Sequence, residues 1–157
     1  MNEFHNEGEL SVYERRIDEW LARFRVENPD TVDDIQRGEG DERRWYVRMR
    51  GVEKEFTTVW LTLGQRTLRY ETYVMPAPEE NHAEFYEHLL RRNERLVGAH
   101  FSIGIEDAVF LRGELGVSAL DQDQLDRILG SMYAYVEQCF RPALLIGFAS
   151  RFAERSE

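Results

Sequence analysis

The apolar residues of this chain switch between two spacings in a definite order, and that order constrains the fold more than any other feature. Tyr13, Ile17, Trp20, Leu21 and Phe24 recur at helical intervals. Three stretches of strict alternation follow, about Arg44 to Arg50, Glu55 to Leu63 and Thr67 to Met75. Phe85, Leu89 and Leu96 return to helical spacing. Two more alternating stretches, His100 to Ile105 and Ala108 to Glu114, precede a last helical stripe of Leu125, Ile128, Leu129, Met132, Val136 and Phe140. The turns between neighbouring strands are short, so the strands pair antiparallel. This predicts an α+β fold in two layers, a five-stranded antiparallel sheet with helices on one face, in the order α-βββ-α-ββ-α.

Boundaries come from capping and breaking residues. Residues 1–10 are expected to be a flexible N-terminal tail before a single domain at 11–152. Ser11 and Glu14 have capping-box spacing at the first helix start. Asn28-Pro29 ends that helix, because the residue before proline is pushed out of the α region. The acidic stretch 30–43, with Gly38 and Gly40, reads as a loop with room for a short strand near Val32 to Ile35. Asn81 with Glu84 repeats the capping-box logic for a second helix ending near Gly98. Asp121 with Gln124 opens the third. Pro142 is expected to interrupt it and to start a short final helix, Ala143 to Phe152.

Composition narrows the possible partners. The formal net charge of −10 opposes a sequence-independent grip on nucleic acid, whose phosphates would be repelled. No apolar run is long enough to span a bilayer, and the acidic N-terminal residues do not form a signal peptide. Cys139 is the single cysteine, which rules out an internal disulfide and fits a reducing compartment. A cytoplasmic protein with no membrane partner is expected. Lys54 is the only lysine among the basic residues, which reads as genomic base composition rather than a choice of guanidinium.

Successive strand residues point to opposite faces. Val59, Leu61 and Leu63 are wholly aliphatic and belong inside. Trp45, Val47 and Met49 join them, as do Leu68, Tyr70 and Val74, then Phe101, Ile103 and Ile105, then Val109 and Leu111. The opposite face then carries Tyr46, Trp60, Tyr73 and Phe110, interleaved with Arg48, Arg69 and Arg112. Tyrosine, tryptophan and arginine are enriched where proteins meet. These seven residues are the candidate partner-binding site. Cross-strand pairs that merely stabilise the sheet would look the same. Stacking of single-stranded nucleic acid on an open sheet also uses such residues, but the net charge speaks against it.

Catalytic signatures are missing. There is no G-x-G-x-x-G, Walker loop or G-x-S-x-G. Glu84 and His88 share a helix face without a second cluster to complete a metal site. His100 and Ser102 share a strand face without a third group to orient them. Asp121, Asp123 and Asp126 suit a helix N-terminus, and Arg91, Arg92 and Arg95 the last turns of the second helix. The expectation is a non-enzymatic protein with no cofactor and no metal.

Several strings together resemble the YbjN family, small bacterial proteins sometimes labelled sensory transduction regulators. They are Arg-Arg-Trp-Tyr-Val-Arg at 43–48, Thr-Thr-Val-Trp-Leu-Thr-Leu at 57–63, Gln-Arg-Thr-Leu at 65–68 and Met-Pro-Ala-Pro-Glu at 75–79. Tyr-Glu-His-Leu-Leu-Arg-Arg-Asn at 86–93, Glu-Asp-Ala-Val-Phe-Leu at 106–111 and Leu-Asp-Arg-Ile-Leu-Gly at 125–130 continue the match. It covers roughly residues 11–150 and looks most like the actinobacterial branch. The resemblance implies a type III secretion chaperone-like fold. Chaperones of that fold are usually homodimers that bind segments of other proteins without catalysis. No catalytic residues carry over.

The reading is therefore a protein- or peptide-binding adaptor, with a homodimer among the implied assemblies. The alternative is a small-molecule sensor or enzyme using a closed cavity between helices and sheet, lined by groups such as Tyr70, Thr72 or His100.

Overall fold

The computed structural model describes residues 3–156, with side chains as far as Ala153. Helix α1 runs Glu7–Glu27, four residues earlier than Ser11. Asn6 and Glu9 form the capping box: the Asn6 side chain accepts from the Glu9 amide at 2.9 Å, and the Glu9 carboxylate accepts from the Asn6 amide at 3.3 Å. The expected tail is thus corrected. Leu10 extends the buried stripe of Ile17, Leu21 and Phe24 by two turns, and His5 is buried with its amide bonded to the Gln65 carbonyl. Burial of Leu10 outweighs the later capping signal, and the Ser11 hydroxyl bonds back to the Glu7 carbonyl instead.

The sheet has six strands: β1 Val32–Arg37, β2 Arg44–Arg50, β3 Phe56–Leu63, β4 Thr67–Met75, β5 His100–Ile103 and β6 Val109–Gly116. Their spatial order is β1-β2-β3-β4-β6-β5, and every pair is antiparallel. The sixth strand is β1, the short strand for which the 30–43 stretch left room. Its alternation is weak because it lies at an edge and buries only Val32 fully.

The inner face is as the alternation requires. Trp45, Val47, Met49, Val59, Leu61, Leu63, Leu68, Tyr70, Val74 and Leu111 are buried and pack into one core with the stripes of the helices. Burying each such large side chain stabilises by about 1.5–3 kcal/mol. The Trp45 indole N–H donates to Asp18 of α1 at 2.7 Å, which satisfies the one polar atom that burial would otherwise strand. Two inner assignments are corrected. Ile103 is 53% and Ile105 78% exposed. β5 stops at Ile103, at the sheet edge, and Ile105 sits in a 3-10 turn, Ile105–Asp107.

Helix α2 spans His82–Asn93, and α3 spans Gln122–Gly147. Asp121 caps α3 by accepting from the Gln124 amide at 2.8 Å. Pro142 does not interrupt α3, contrary to expectation. It removes one helical N–H, yet Ala143 and Gly147 beyond it are buried. A Cβ on Gly147 would come within 2.8 Å of the Phe85 ring, so the close packing of α3 on α2 carries the helix past the proline. The Glu79 and Glu80 amides bond to the Gly147 carbonyl, and the Asn81 amide group bonds to the Ile146 carbonyl at 2.9 Å. Asn81 therefore closes α3 and is no side-chain cap for α2; its backbone is left-handed, φ 53°. A short helix α4, Ala149–Ser156, follows.

Candidate functional site

The sheet's second face is where the sequence placed its candidate contacts. The cross-strand register sorts that face into rows. Arg44, Thr62, Arg69 and Glu114 form one row across β2, β3, β4 and β6. Tyr46, Trp60, Glu71, Arg112 and His100 form the next. In the third, Arg48 pairs with Thr58, and Tyr73 pairs with Phe110, which pairs with Ser102. The helices' buried stripes all belong to the core on the other side. Tyr46 and Trp60 are only partly buried, and Arg48, Arg69 and Tyr73 are exposed.

Two aromatic pairs stand on this face. The rings of Tyr46 and Trp60 meet edge-to-face with centroids 6.1 Å apart, those of Tyr73 and Phe110 at 5.7 Å. Such pairs contribute about 0.5–1.5 kcal/mol beyond their burial. Phe110 corrects the expectation of an exposed contact. It is 4% exposed yet lies outside the main core. The Tyr73 ring stands perpendicular to it, the Arg112 guanidinium lies 4.5 Å from its centroid, and the backbone of Gly104 runs against it. A Cβ at position 104 would come within 2.4 Å of the ring. Phe110 and Arg112 therefore support the face more than they offer it.

The arginines differ in what already holds them. Arg112 donates to Glu71 at 2.8 Å and to the Ser102 hydroxyl at 3.1 Å. Arg48 lies 3.7 Å over the Phe56 ring and 3.6 Å from the Asp33 carboxylate. Arg44 donates to the Thr62 hydroxyl at 3.1 Å and pairs with Glu42 at 3.2 Å. Arg69 forms no ion pair among the described residues. Around Arg44, Arg69, Arg112 and His100 the surface opens into a cleft of about 490 Å³.

Phe56, Lys54 and Glu71 also belong to the face, although the candidate set omitted them. Alternation places Phe56 two residues before Thr58, a readable signal. Lys54 lies in the turn after β2, where no period applies. Its ammonium donates to the Tyr73 carbonyl at 2.9 Å beside the Tyr73 ring, and burial pulls its pKa below the usual lysine value. Burial, and secondarily Glu106, raises that of the Tyr73 hydroxyl.

The closed polar cavity of the alternative reading is not formed by the residues named for it. The Tyr70 hydroxyl donates to the Gly98 carbonyl at 2.6 Å and that of Thr72 to the Thr58 carbonyl at 2.7 Å. Tyr70 and His100 border the open cleft, and Thr72 does not. Among the described residues no three metal-ligating side chains converge, and no helix is long and apolar enough to cross a membrane.

An α+β chain with helices on one side of an antiparallel sheet has known counterparts. The fold is that of type III secretion chaperones. It is similar to the Yersinia pestis type III secretion chaperone SycH, solved in complex with a stable fragment of YscM2, at a TM-score of 0.50 and 17% identity, covering 77% of this chain and 97% of that one. It is also similar to a chain of the heterodimeric ExoU–SpcU complex from the type III secretion system of Pseudomonas aeruginosa, at 0.51 and 15%, covering 80% and 98%. More particularly, the chain belongs to the YbjN family, described as "Putative bacterial sensory transduction regulator", whose model matches residues 15–144. An uncharacterized protein of Mycobacterium tuberculosis is 35% identical over 104 residues, 66% of this chain and 57% of the relative. One from Mycobacterium leprae is 32% identical over 107 residues, 68% and 58%. The match thus spans under two thirds of the length of these curated relatives.

Proposed function

We propose that this protein is a non-enzymatic adaptor of the bacterial cytoplasm that binds a segment of a protein partner on the uncovered face of its sheet. The observation that carries the reading is the Tyr46–Trp60 pair, a partly exposed aromatic platform outside the core and flanked by arginines. Interfaces concentrate their energy in such residues. The secretion-system proteins of like fold were solved with protein partners, which supports the same class of role here. A second copy of the chain is among the partners the face fits.

The test is Trp60→Ala and Tyr46→Ala. Each is expected to stay folded and to melt only a few degrees below the wild type, since it removes an aromatic pair worth about 0.5–1.5 kcal/mol. Each should weaken partner capture, or any self-association, by about 30-fold, the effect of losing a contact worth about 2 kcal/mol. If both variants keep the wild-type mass in solution and the same captured partners, the face is not the binding surface.

A further inference from the structure

The outer face of β2, β3, β4 and β6 carries Arg44, Arg48, Arg50, Arg69 and Arg112 against Glu71 and Glu114, on a chain whose formal charge is −10. Local charge opposite to the whole points to the charge of what the surface meets. Most of these arginines are already engaged. Arg48 and Arg50 share Asp33, Arg44 has Glu42, and Arg112 has Glu71. Arg69 is different. It sits between Thr62 and Glu114 in its row, yet no carboxylate lies within ion-pair distance of it among the described residues. It is exposed, and with Arg44 and His100 it borders the 490 Å³ cleft.

The neighbouring row begins with Tyr46 and Trp60. Arg69 on β4 lies opposite Thr62, so Trp60 on β3 is its diagonal neighbour, about 7–8 Å away. Side chains two positions apart in an extended peptide are about 6.6–6.8 Å apart, close to that diagonal. Resting on the binding role proposed above, we infer that the partner segment is acidic: it places a carboxylate on Arg69 at the cleft and, two positions away, an apolar side chain on the Tyr46–Trp60 platform. Arginine suits the first task because its planar donors match a carboxylate in two parallel hydrogen bonds. The second buries apolar area on rings that are already positioned. An oligonucleotide is the less fitting polyanion, since the rest of the chain would repel its phosphates.

The experiment is selection of a displayed random heptapeptide library on the immobilised full-length chain, repeated on Arg69→Gln and on Trp60→Ala. Arg69 makes no ion pair, so Arg69→Gln should melt at the wild-type temperature. Peptides enriched on the wild type should carry Asp or Glu two positions from an aromatic or aliphatic residue. Replacing that acid by its amide should weaken a selected peptide about tenfold, with the difference shrinking as salt is raised. Arg69→Gln should lose the acid preference and keep the apolar one, and Trp60→Ala should enrich neither. Neutral or basic winners, or an unchanged acidic set on Arg69→Gln, would overturn the acidic partner while leaving a peptide-binding face intact. No enrichment that depends on either residue would overturn both readings. An oligothymidylate that binds at Arg69 more tightly than the best acidic peptide would overturn this inference in favour of nucleic acid.

Discussion

His88 shows how little a residue's spacing says about its partner. The sequence pairs it with Glu84, four residues away on the same face. In the structure the Nε2 atom of His88 accepts a hydrogen bond from Arg92 at 2.9 Å, so that nitrogen must be unprotonated. Burial first and the Arg92 charge second hold the imidazole below the ordinary value of 6.5. As pH falls below about 6.5, the unfolded chain therefore takes up a proton before the native state does, and stability drops. His88→Gln should flatten the slope of melting temperature against pH below about 6.5. An unchanged slope would mean that other groups set it. Glu79 and Glu80 lie lower: Arg151 and Ser150 hold their carboxyl groups below the usual 4.5, so what they contribute is lost only under that value. Cys139 lies buried in the inward stripe of α3. Burial pushes its thiol up to about 12, which leaves it protonated and unreactive at neutral pH.

At the scale of elements, periodicity located nearly every helix and strand, but the ends were settled by contacts that periodicity does not contain. Asn6–Glu9 and Ser11–Glu14 have the same spacing, and only the burial of Leu10 distinguishes them. Pro142 reads as a break, and the packing of Gly147 on Phe85 overrides it. The clearest such long-range contact is at the β2–β3 turn. There the Glu137 carboxylate of α3 accepts hydrogen bonds from the Val52, Glu53 and Lys54 amides. Nothing local marks a residue more than eighty positions away as the holder of that turn. Hydrogen bonds to a charged group contribute about 1.5–3 kcal/mol, and the exposure of this turn favours the low end. Glu137→Ala should lower stability by about 1.5 kcal/mol in denaturant titration. It should also speed amide exchange at Val52 to Lys54 without changing exchange in the middle of α3. Uniform acceleration along α3 would show that the side chain supports the helix rather than the turn.

At the scale of the whole molecule the two faces of the sheet differ in what covers them. Leu61 and Trp60 are adjacent in sequence, yet one lies in the core and the other on the free face. Leu61→Ala should cost about 2–5 kcal/mol of stability, as deletions in a packed core do. Trp60→Ala should cost only about 1 kcal/mol, the loss of its edge-to-face pair with Tyr46, and act mainly on binding. Comparable losses from both would show that the second face is also a core. The candidate site was partly readable. Tyr46, Trp60, Arg48, Arg69 and Tyr73 follow from alternation alone. The burial of Phe110 against Gly104 and the engagement of Arg112 by Glu71 and Ser102 do not, because they depend on which strands become neighbours.

By itself, the sequence determined the kinds of most elements, their order and the inward side of β2 to β6, because these follow from periods of 2 and 3.6 residues written locally in the chain. Only the tertiary structure decided where α1 begins, that α3 runs through Pro142, that β1 completes the sheet, and which arginine of the sheet's outer face meets no carboxylate among the described residues. Each of those outcomes depends on atoms far apart in sequence being brought within a few ångströms, where burial and hydrogen bonding outweigh local preference.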